Sequence, residues 1–321
     1  MKGTKRKKLF LAESEDFNPQ VLALLNKYFE VTIPEDETWD LKTVLRAYDI
    51  FWFRLAYQID GRVLDSRTTC QYLVTPVTGI NHIDEALCAE YGIEIICLRG
   101  EYNFLREVRA TAEMTVGLAI ALMRHIIPAR KDVVTGHWRR DLFRGEELYK
   151  KKAGIIGYGR LGRIVAGYFK AMGMEVSAYD PYREIKDEGI VVYEDMHHLL
   201  RQADLVSIHV SLTSESAYFF DTAAFEAMKE GSYLINTSRG ELLEEAALLA
   251  ALRSGKLAGA ALDVLADEHS IDKNHPLIQY AENHPNLLIV PHIGGNTYES
   301  FEKTERFIAE KLIRKLADVD T

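Results

Sequence analysis

The chain has 321 residues, which is long enough for two globular domains. Hydrophobic residues make up 47% of it and charged residues 27%, and the formal net charge is −9. An acidic chain is a poor general nucleic-acid binder, because such binders need a positive surface that replaces the counterions of the phosphates. The sequence has no run of about 18 apolar residues, so it predicts no membrane span. A small molecule is therefore the expected partner, with neither nucleic acid nor membrane.

The cysteines and the chain start bear on the compartment. Cys70, Cys88 and Cys97 are scattered and form no C-x-x-C pair. This spacing is not typical of a disulfide framework or a zinc site, so we expect no metal and a reducing compartment. The basic start, MKGTKRKK, runs directly into a strand-like segment and lacks the apolar core and cleavage site of a signal peptide. The expected location is the cytoplasm.

The first hundred residues alternate between strand-like and helix-like segments. The predicted strands are KKLFLA, FEVTI, YDIFWFRL, CQYLVTP and IEIICLR, and the predicted helices are FNPQVLALLNKY and NHIDEALCAEYG. In the first helix Asn18 is a candidate N-cap, and Pro19 occupies the first helical position. Strands that alternate with helices at this spacing indicate parallel βαβ units.

A long helical pattern follows, over VRATAEMTVGLAIALMRHIIPARKDVVTG. Its first part is rich in small residues, which let another helix approach closely. These residues are Ala110, Ala112, Gly117, Ala119 and Ala121. We interpret this segment as a linking helix at a domain or subunit boundary. Pro128 is expected to break or kink it.

A second βαβ series begins at Lys152. Its predicted strands are AGIIG, EVSAYD, LVSIHV, SYLINTS, GAALDV and LLIVPH, with intervening helices such as RLGRIVAGYFKAMG and EEAALLAALRSG. Six strands with intervening helices match a doubly wound dinucleotide-binding fold. The last segment, YESFEKTERFIAEKLIRKLADV, is a charged amphipathic helix that could return to the first domain and complete it.

The glycine-rich stretch AGIIGYGRLGRIVAG joins the first strand of this series to its helix. In a G-x-G-x-x-G loop, Gly157 permits the tight turn, Gly159 lets the backbone approach a pyrophosphate, and Gly162 lets the helix pack on the strand. Asp180 ends the next strand, where a carboxylate can bind the ribose hydroxyls of NAD and repel the extra phosphate of NADP. Arg183 leaves NADP tolerance open, and a glycine turn without any cofactor is the structural alternative.

Three short segments follow predicted strands in the second series: NTSRGE, ALDVLADEH and VPHIGG. Each places an ionisable residue at the strand end, where ligands bind in such sheets. Arg239 can grip a carboxylate and polarise the adjacent carbonyl. His292 can exchange the hydroxyl proton, and Glu268 can orient the imidazole and favour its charged form. This set is what the oxidation of a 2-hydroxy acid needs.

Several motifs resemble, in order and spacing, those of the D-isomer-specific 2-hydroxyacid dehydrogenases, the family of phosphoglycerate, glycerate, glyoxylate and D-lactate dehydrogenases. They are GIIGYGRLGRIVA, YDP, SIHVSLT, LINTSRGELLEEAALLAAL, GAALDV and PHIGG. The resemblance covers essentially the whole chain. It implies an α/β protein in which an inserted Rossmann NAD-binding domain, 108–296, interrupts a flavodoxin-like substrate domain built from both chain ends, 1–107 and 297–321. It also implies NAD as the cofactor, and a homodimer formed through the 110–127 region.

The resemblance assigns individual roles as well. Arg239 would bind the substrate carboxylate and carbonyl, His292 would be the acid/base, and Glu268 would be its partner. The implied cofactor residues are Gly157, Tyr158, Gly159, Arg160, Leu161, Gly162, Asp180, His209, Val210, Ser211, Thr213, Thr237, Ser238, Asp263, Gly294 and Gly295. Backbone N–H groups of Val77, Thr78 and Gly79 would cradle the substrate carboxylate.

The substrate-binding half departs from the family pattern. Thr75 stands where phosphoglycerate dehydrogenases commonly carry an arginine, which puts a phosphorylated substrate in doubt, and Pro76 removes one anion donor. The segment 99–109 is longer and more charged than usual, and Arg54 is a further candidate cation for a polar substrate group. The alternative for 99–109 is a solvated loop with internal ion pairs.

Two further functions compete with the dehydrogenase. One is a non-enzymatic NAD(H)-sensing regulator of the corepressor type, which can keep the same three polar residues. The other is a formate dehydrogenase, which generally has glutamine at the position of Glu268. The sequence leaves open the identity of the acid and the physiological direction.

Overall fold

A computed structural model of the chain describes residues 6–36 and 38–319. It forms two compact units, one that ends at Val108 and resumes at Thr297, and one that comprises Arg109–Asn296. The predicted boundaries, 1–107 with 297–321 and 108–296, differ from this division at one residue. Residues 1–5, the first part of the basic start, lie outside the described residues.

The secondary structure comprises strands and helices in regular alternation. The strands are β1 (Lys8–Leu11), β2 (Glu30–Thr32), β3 (Ile50–Trp52), β4 (Tyr72–Val74), β5 (Glu94–Ile96), β6 (Lys152–Ile156), β7 (Glu175–Tyr179), β8 (Val191–Val192), β9 (Leu205–Ile208), β10 (Ser232–Asn236), β11 (Leu257–Leu262) and β12 (Leu287–Ile289). The helices are α1 (Pro19–Tyr28), α2 (Leu41–Leu45), α3 (Glu85–Glu90), α4 (Tyr102–Leu105), α5 (Ala110–Met123), α6 (Ile126–Val134), α7 (Arg160–Ala171), α8 (Met196–Gln202), α9 (Thr222–Ala227), α10 (Glu245–Arg253), α11 (Pro276–Asn283) and α12 (Tyr298–Val319).

The first unit contains a five-stranded parallel sheet in the order β2-β1-β3-β4-β5, which is the flavodoxin-like order. All five predicted strands are confirmed, although each is shorter than its apolar segment. The Asn18 side chain caps α1 by accepting from the N–H groups of Gln20 and Val21, as predicted. Helix α12 packs on α1 and β5 and so completes this unit, as its amphipathic pattern indicated.

The sequence reasoning missed helix α2 in the first unit. Its signal was a capping residue, because Asp40 accepts from the N–H group of Thr43.

The second unit contains a seven-stranded parallel sheet in the order β12-β11-β10-β9-β6-β7-β8. Its order is that of the dinucleotide-binding fold, and it reverses between β6 and β9, where such sheets bind ligands. The six predicted strands are confirmed. The seventh, β8, was not predicted, because its two residues form the exposed edge of the sheet and carry no alternating pattern.

The long helical segment is two helices, and its break is not at Pro128. The chain turns at Arg124 and His125, and His125 adopts the left-handed conformation with φ +53°. Pro128 lies in the first turn of α6, where its missing N–H has no helical acceptor to lose. The prediction of an interruption is therefore confirmed, but its position was wrong by three residues.

Helix α5 uses much of its small-residue surface inside its own unit. Ala112 and Ala119 are fully buried in a core cluster that also contains Val165 and Phe169 of α7. Gly117 is exposed, and a side chain added there would meet no atom within 4 Å. The part of α5 around Gly117 is therefore open to solvent.

Among the described residues, no single helix has both the length and the apolar composition needed to cross a membrane. One bent pair, Tyr102–Met123 with Ile126–Val134, meets the two criteria only when its parts are taken together.

Candidate functional site

The glycine loop lies at the carboxyl end of β6, and its three glycines have different surroundings. Gly157 has φ +87°, and an added Cβ would lie 2.6 Å from the carbonyl oxygen of His209. At Gly162 an added Cβ would overlap the carbonyl oxygen of Gly157. At Gly159, by contrast, an added Cβ would meet nothing within 4 Å. Gly157 and Gly162 thus serve packing, whereas Gly159 leaves room for a ligand beside the N-terminus of α7.

The same N-terminus offers donors for an anion. Gly159 is the N-cap residue of α7 and provides no side-chain cap. The first N–H groups of a helix have no acceptor within the helix. Such N–H groups, together with the helix dipole, bind phosphate. Arg160 and Leu161 form the first turn of α7, and burial lowers the pKa of Arg160, with the nearby charge of Arg109 acting in the same sense. The residues present fit the pyrophosphate of a dinucleotide.

Asp180 follows β7 and faces the glycine loop. One carboxylate oxygen accepts from the backbone N–H of Tyr158 at 2.9 Å, and the other accepts from that of Tyr182 at 3.0 Å. The carboxylate is therefore fixed in orientation and keeps acceptor sites for hydroxyl groups. The Nε atom of Arg183 lies 3.9 Å from the same carboxylate. The structure thus brings together Tyr158, Asp180 and Arg183.

Tyr158 fixes the loop that follows Asp180. Its ring is buried, and its hydroxyl bonds to Asp187, which acts with burial to raise the pKa of the phenol. The guanidinium of Arg163 lies 5.5 Å from the ring centroid and pairs with Asp187.

The segment after β9 carries the residues predicted to line the adenine side. The Nε2 atom of His209 bonds to the hydroxyl of Ser207 at 2.9 Å, and burial lowers the pKa of His209 to about 3. The imidazole is therefore neutral at physiological pH. The Ser216 hydroxyl donates to the Ser211 carbonyl and accepts from the Thr213 N–H, which shapes the following turn. His209 adjoins Gly157, whereas contacts of Val210, Ser211 and Thr213 with a cofactor stay predictions.

The three predicted catalytic residues lie at the carboxyl ends of three neighbouring strands, β10, β11 and β12. The Nδ1 atom of His292 is 2.7 Å from an Oε2 oxygen of Glu268. Both side chains keep access to solvent, with 25% and 33% of their surfaces exposed. A carboxylate at this distance orients the ring and stabilises a positive charge on it. The structure therefore joins Glu268 and His292 into one hydrogen-bonded pair, and their acid/base role stays a prediction.

Arg239 follows β10 and is partly buried. Its Nη1 atom donates to the carbonyl of Ser238 at 2.7 Å. Burial lowers the pKa of Arg239, whereas the charges of Glu268, Glu241 and Asp263 act in the opposite direction. A guanidinium stays charged in proteins, so Arg239 is a cation that interacts electrostatically with Glu268.

His292 has an unusual backbone that the sequence did not reveal. It adopts the left-handed conformation with φ +52°, which a non-glycine residue rarely takes. Its N–H donates to the Asp263 carbonyl at 2.8 Å, and the Asp263 carboxylate accepts from the N–H groups of Ile293 and Gly294 at 2.7 and 2.8 Å. Asp263 therefore holds the turn that carries His292.

This finding changes the interpretation of two predicted cofactor residues. The Asp263 carboxylate is buried and already serves two backbone groups, so its bond to a nicotinamide amide stays a prediction. Burial raises the pKa of Asp263, and the two N–H bonds oppose that rise. An added Cβ at Gly294 would lie 2.5 Å from this carboxylate, so Gly294 is needed for packing. Gly295 has no such neighbour.

Thr237 and Ser238 direct their hydroxyls into the protein. The Thr237 hydroxyl pairs with that of Thr115 at 2.9 Å, and the Ser238 hydroxyl donates to the Ile208 carbonyl at 2.8 Å. Contacts of these two residues with a nicotinamide ribose stay predictions.

One glycine beside Arg239 was not predicted as a residue of the site. Gly240 follows Arg239 directly, and an added Cβ would overlap the peptide group between Leu265 and Ala266. The signal was present, because Gly240 follows the arginine in the quoted LINTSRGELLEEAALLAAL motif.

In the first unit, Val77, Thr78 and Gly79 follow β4. The Val77 carbonyl accepts from Leu98, while the N–H groups of the three residues donate to no other residue that the structure describes. Thr75 is fully buried, and its hydroxyl donates to the carbonyl of Arg54.

Arg54 was predicted as a cation for a substrate group, and this role stays a prediction, although the structure gives its charge a partner. Its Nη2 atom is 2.6 Å from Glu305, whose side chain is fully buried, and its guanidinium lies 4.1 Å from the ring centroid of Phe301. The charge of Arg54 is thus neutralised within the first unit, because α12 brings a carboxylate to it.

The charged segment 99–109 also forms ion pairs within its unit. Arg99 pairs with Glu85 at 2.8 Å, and Glu101 pairs with Lys311 of α12 at 2.7 Å. The segment contains the short helix α4, and the ring of Phe104 in this helix stacks on the ring of Phe307. Two of its charges are therefore paired with residues outside the segment, and a contact of the segment with substrate stays a prediction. In the ranges 6–36 and 38–319, no group of three or more His, Cys, Asp or Glu side chains could hold a metal ion.

Comparisons with known proteins agree with this geometry. Residues 116–294 match the family model described as D-isomer specific 2-hydroxyacid dehydrogenase, NAD binding domain. The chain is 32% identical to a glyoxylate reductase of Thermofilum pendens, over 92% of this chain and 88% of that protein. It is 30% identical to a hydroxypyruvate reductase of Thermotoga maritima, over 91% and 93% of the two chains.

A solved structure supports the same assignment. A D-lactate dehydrogenase from Aquifex aeolicus, complexed with NAD and lactic acid, aligns with a TM-score of 0.82 and 27% identity over 98% of this chain and 96% of that one. These alignments are not limited to the glycine loop, because they cover residues of both units. The chain therefore belongs to the D-isomer-specific 2-hydroxyacid dehydrogenases and is an NAD-dependent oxidoreductase.

Proposed function

We propose that this enzyme interconverts a small, unphosphorylated D-2-hydroxy acid and its 2-keto acid, with His292 as acid/base, Glu268 as its partner and Arg239 as the carboxylate-binding cation. The observation that carries the proposal is the 2.7 Å contact between His292 and Glu268. It stands at the sheet edge where Arg239 is also found.

The geometry supports a division of labour among the three side chains. Because Nδ1 of His292 is engaged by Glu268, Nε2 is the ring nitrogen left to give a proton to the keto oxygen or take one from the hydroxyl. Arg239 can bind the carboxylate with its planar fork and stabilise charge that develops on the keto oxygen. The bound nicotinamide supplies the hydride for reduction and accepts it in oxidation.

The cofactor residues support NAD in preference to NADP. The N–H groups at the start of α7 would hold the pyrophosphate, and Asp180 would accept from the adenosine ribose hydroxyls. The two backbone bonds that fix Asp180 keep a negative charge where the phosphate of NADP would lie. Arg183 stands close enough to soften that repulsion, so we expect weak NADP use.

The first unit supports a small substrate. The N–H groups of Val77, Thr78 and Gly79 are available for a carboxylate, which makes this unit the substrate domain in our proposal. Thr75 replaces the arginine common in phosphoglycerate dehydrogenases, and the charge of the neighbouring Arg54 is paired with Glu305. Relatives named as glyoxylate reductase and hydroxypyruvate reductase favour acids of that size.

A homodimer through the 110–127 region belongs to the same proposal. Gly117 is open, and apolar side chains at the end of the region are exposed, with Ile126 at 47% and Ile127 at 51%. Exposed apolar side chains in one region are typical of an interface. Light scattering after gel filtration should give twice the chain mass of 36.5 kDa, and Ile127→Glu should lower it. A monomer at micromolar concentration would contradict this part.

The test of the activity is the loss of NADH absorbance with glyoxylate, hydroxypyruvate, pyruvate, 2-ketoglutarate and 3-phosphohydroxypyruvate. We expect turnover of the small unphosphorylated acids. His292→Ala should cut kcat by about 10²–10⁴-fold while NADH binding, followed by its fluorescence, is retained. Binding of NADH without reduction of any acid would remove the enzymatic assignment of the three residues.

A further inference from the structure

Glu268 lies on the loop that follows β11, and a second glutamate, Glu245, forms a hydrogen bond to the backbone of this loop. Glu245, the first residue of α10, accepts from the backbone N–H of Ala266 at 2.8 Å through Oε1. Its other oxygen, Oε2, is 3.1 Å from Nε2 of His275. The side chains of Glu245 and His275 are only 20% and 18% exposed. One carboxylate thus joins the loop of Glu268 to the start of α11.

The peptide group that Glu245 binds is also fixed from the other side. An added Cβ at Gly240 would overlap the carbonyl carbon of Leu265 and the nitrogen of Ala266. Gly240 directly follows Arg239. The Leu265–Ala266 peptide is therefore placed between the chain of Arg239 and the carboxylate of Glu245, without room to move toward the former.

The residue between this peptide and Glu268 has a backbone that needs support. Asp267 adopts the left-handed conformation with φ +52°. A non-glycine residue in that region persists when its surroundings hold it there. The Glu245 bond to Ala266 is such a constraint, one residue before Asp267 and two before Glu268.

Glu245 itself is held by His275. Nδ1 of His275 is buried, with no hydrogen-bond partner in the part of the chain that the structure describes. Nε2 is therefore the ring atom that can donate, and it faces Glu245. A glutamate fixed at both oxygens cannot change rotamer without losing one of these bonds.

We propose that Glu245, held by His275, is a positioning residue that sets the approach of Glu268 to His292 through the Ala266 N–H. It touches none of the reacting atoms in this role. The inference rests on the proposed function, because it concerns the acid/base pair on which that function depends. A displacement of about 1 Å in a catalytic group can cost about 10²-fold in rate.

The experiment compares Glu245→Ala, Glu245→Gln and Glu244→Ala in the full-length chain. Glu244→Ala is the matched control, because its carboxylate binds Thr222 and not the loop. With the best keto acid of the panel, Glu245→Ala should lower kcat by about 10-fold or more and leave the KM for NADH unchanged. Glu245→Gln keeps an acceptor for the N–H of Ala266 and should retain most of the kcat of the unmodified chain. Glu244→Ala should leave kcat unchanged.

A double-variant cycle separates positioning from general stability. If Glu245 acts through Glu268, the effect of Glu245→Ala on kcat should largely vanish in a Glu268→Gln background. The same effect in both backgrounds, or no effect of Glu245→Ala on kcat, would overturn the proposal. If Glu245→Ala does not fold, His275→Phe takes its place in the cycle. We expect His275→Phe to lower kcat several-fold when Glu268 is present and to have little effect on kcat in the Glu268→Gln background.

The two levels of the proposal fail differently. If the unmodified chain reduces no keto acid, or if Glu268→Gln keeps full activity, the proposed function is wrong. The inference about Glu245 is then wrong as well, because it rests on that function. If Glu268→Gln lowers kcat and Glu245→Ala does not, the inference alone is wrong.

Discussion

At the scale of single residues, the site depends on backbone positions as much as on the three charged side chains. His292 stands in the left-handed region because the carbonyl of Asp263 accepts its N–H and the Asp263 carboxylate ties down the next two residues. The proposed acid/base group is thus oriented by hydrogen bonds of its turn to Asp263.

The first prediction concerns this buried carboxylate. Asp263→Asn places an amide NH₂ against one of two backbone N–H donors, so one bond is lost and two donors face each other. We expect kcat to fall by about 10²-fold and stability to fall by about 2 kcal/mol. Steady-state kinetics and thermal unfolding check both. Asp272→Asn, an exposed carboxylate on the following loop, is the control, and equal behaviour of the two variants would contradict the prediction.

The second prediction concerns Gly240. Gly240→Ala forces a methyl group into the peptide between Leu265 and Ala266, so the loop of Glu268 must shift. We expect a loss of stability of about 2 kcal/mol or more, together with loss of activity. Gly167→Ala is the matched control, because that glycine lies inside α7 with nothing within 4 Å of an added Cβ, and alanine there should stabilise by about 0.5–1 kcal/mol. Retained activity in Gly240→Ala would show that the loop tolerates displacement.

The third prediction is a pH dependence from His209. The pKa of His209 is lowered from 6.5 to about 3 by burial, so the unfolded chain binds this proton at a higher pH than the folded chain does. Stability is therefore fully present above pH 6.5 and is lost as the pH falls from there toward 3. Replacement by glutamine removes this pH-dependent contribution, which amounts to a loss of about 2 kcal/mol at pH 5.

Thermal unfolding of the unmodified chain and of His209→Gln at pH 7.5 and pH 5 measures the difference. The midpoint should fall less on acidification in the variant. A parallel fall in both proteins would mean that the imidazole takes up its proton in the folded state.

At the scale of elements, local sequence signals determine where a helix begins, whereas tertiary contacts determine on which part of the protein the helix packs. Asn18 caps α1 by a bond that the sequence alone indicates. Nothing in the sequence of α12, however, indicates that Glu305 enters the core of the first unit and meets Arg54 and the N–H of Asn18. Burial raises the pKa of Glu305, and these two partners oppose the rise.

The fourth prediction tests this attachment of α12. Glu305→Leu leaves the guanidinium of Arg54 without its carboxylate and should destabilise the first unit by about 3 kcal/mol. The double change Arg54→Met with Glu305→Leu replaces a buried pair by apolar groups and should recover most of that loss. Denaturant unfolding of the three variants checks it. If the double variant also loses substrate affinity, seen as a raised KM for the keto acid, the original prediction for Arg54 regains support.

At the scale of the whole molecule, each unit has its own sheet and its own core. The second unit is continuous in sequence, Arg109–Asn296, and contains the glycine loop, Asp180 and the three proposed catalytic residues. The first unit is assembled from both ends of the chain, so it depends on α12 for completion.

The fifth prediction follows from this continuity. A chain of residues 109–296 alone should fold and bind NADH, because its core and cofactor residues are complete within it. It should not reduce the keto acid, because the proposed carboxylate cradle at Val77–Gly79 is missing. Fluorescence titration and the absorbance assay check the two statements. Reduction by the isolated unit would place the substrate site within it.

Much of the fold was predictable because it rests on periodicity and local chemistry. Alternating apolar strands, glycine turns and caps are short-range signals, and they predicted eleven of the strands and the order of the two units. The two-residue strand β8 and the short helix α2 escaped because few residues carry their pattern. The break before α6 was misplaced because His125 adopts its left-handed backbone without a sequence signal.

For the site, the sequence by itself determined which groups are present: the glycine loop, Asp180, Arg239, Glu268 and His292. Their types and order in the chain sufficed, because parallel strands bring their carboxyl ends to one edge. Only the tertiary structure decided how they are held. The bonds of Asp263 to the turn of His292, of Glu245 to the loop of Glu268, and of Glu305 to Arg54 join residues that are far apart in sequence. Such contacts arise from packing, and no local pattern encodes them.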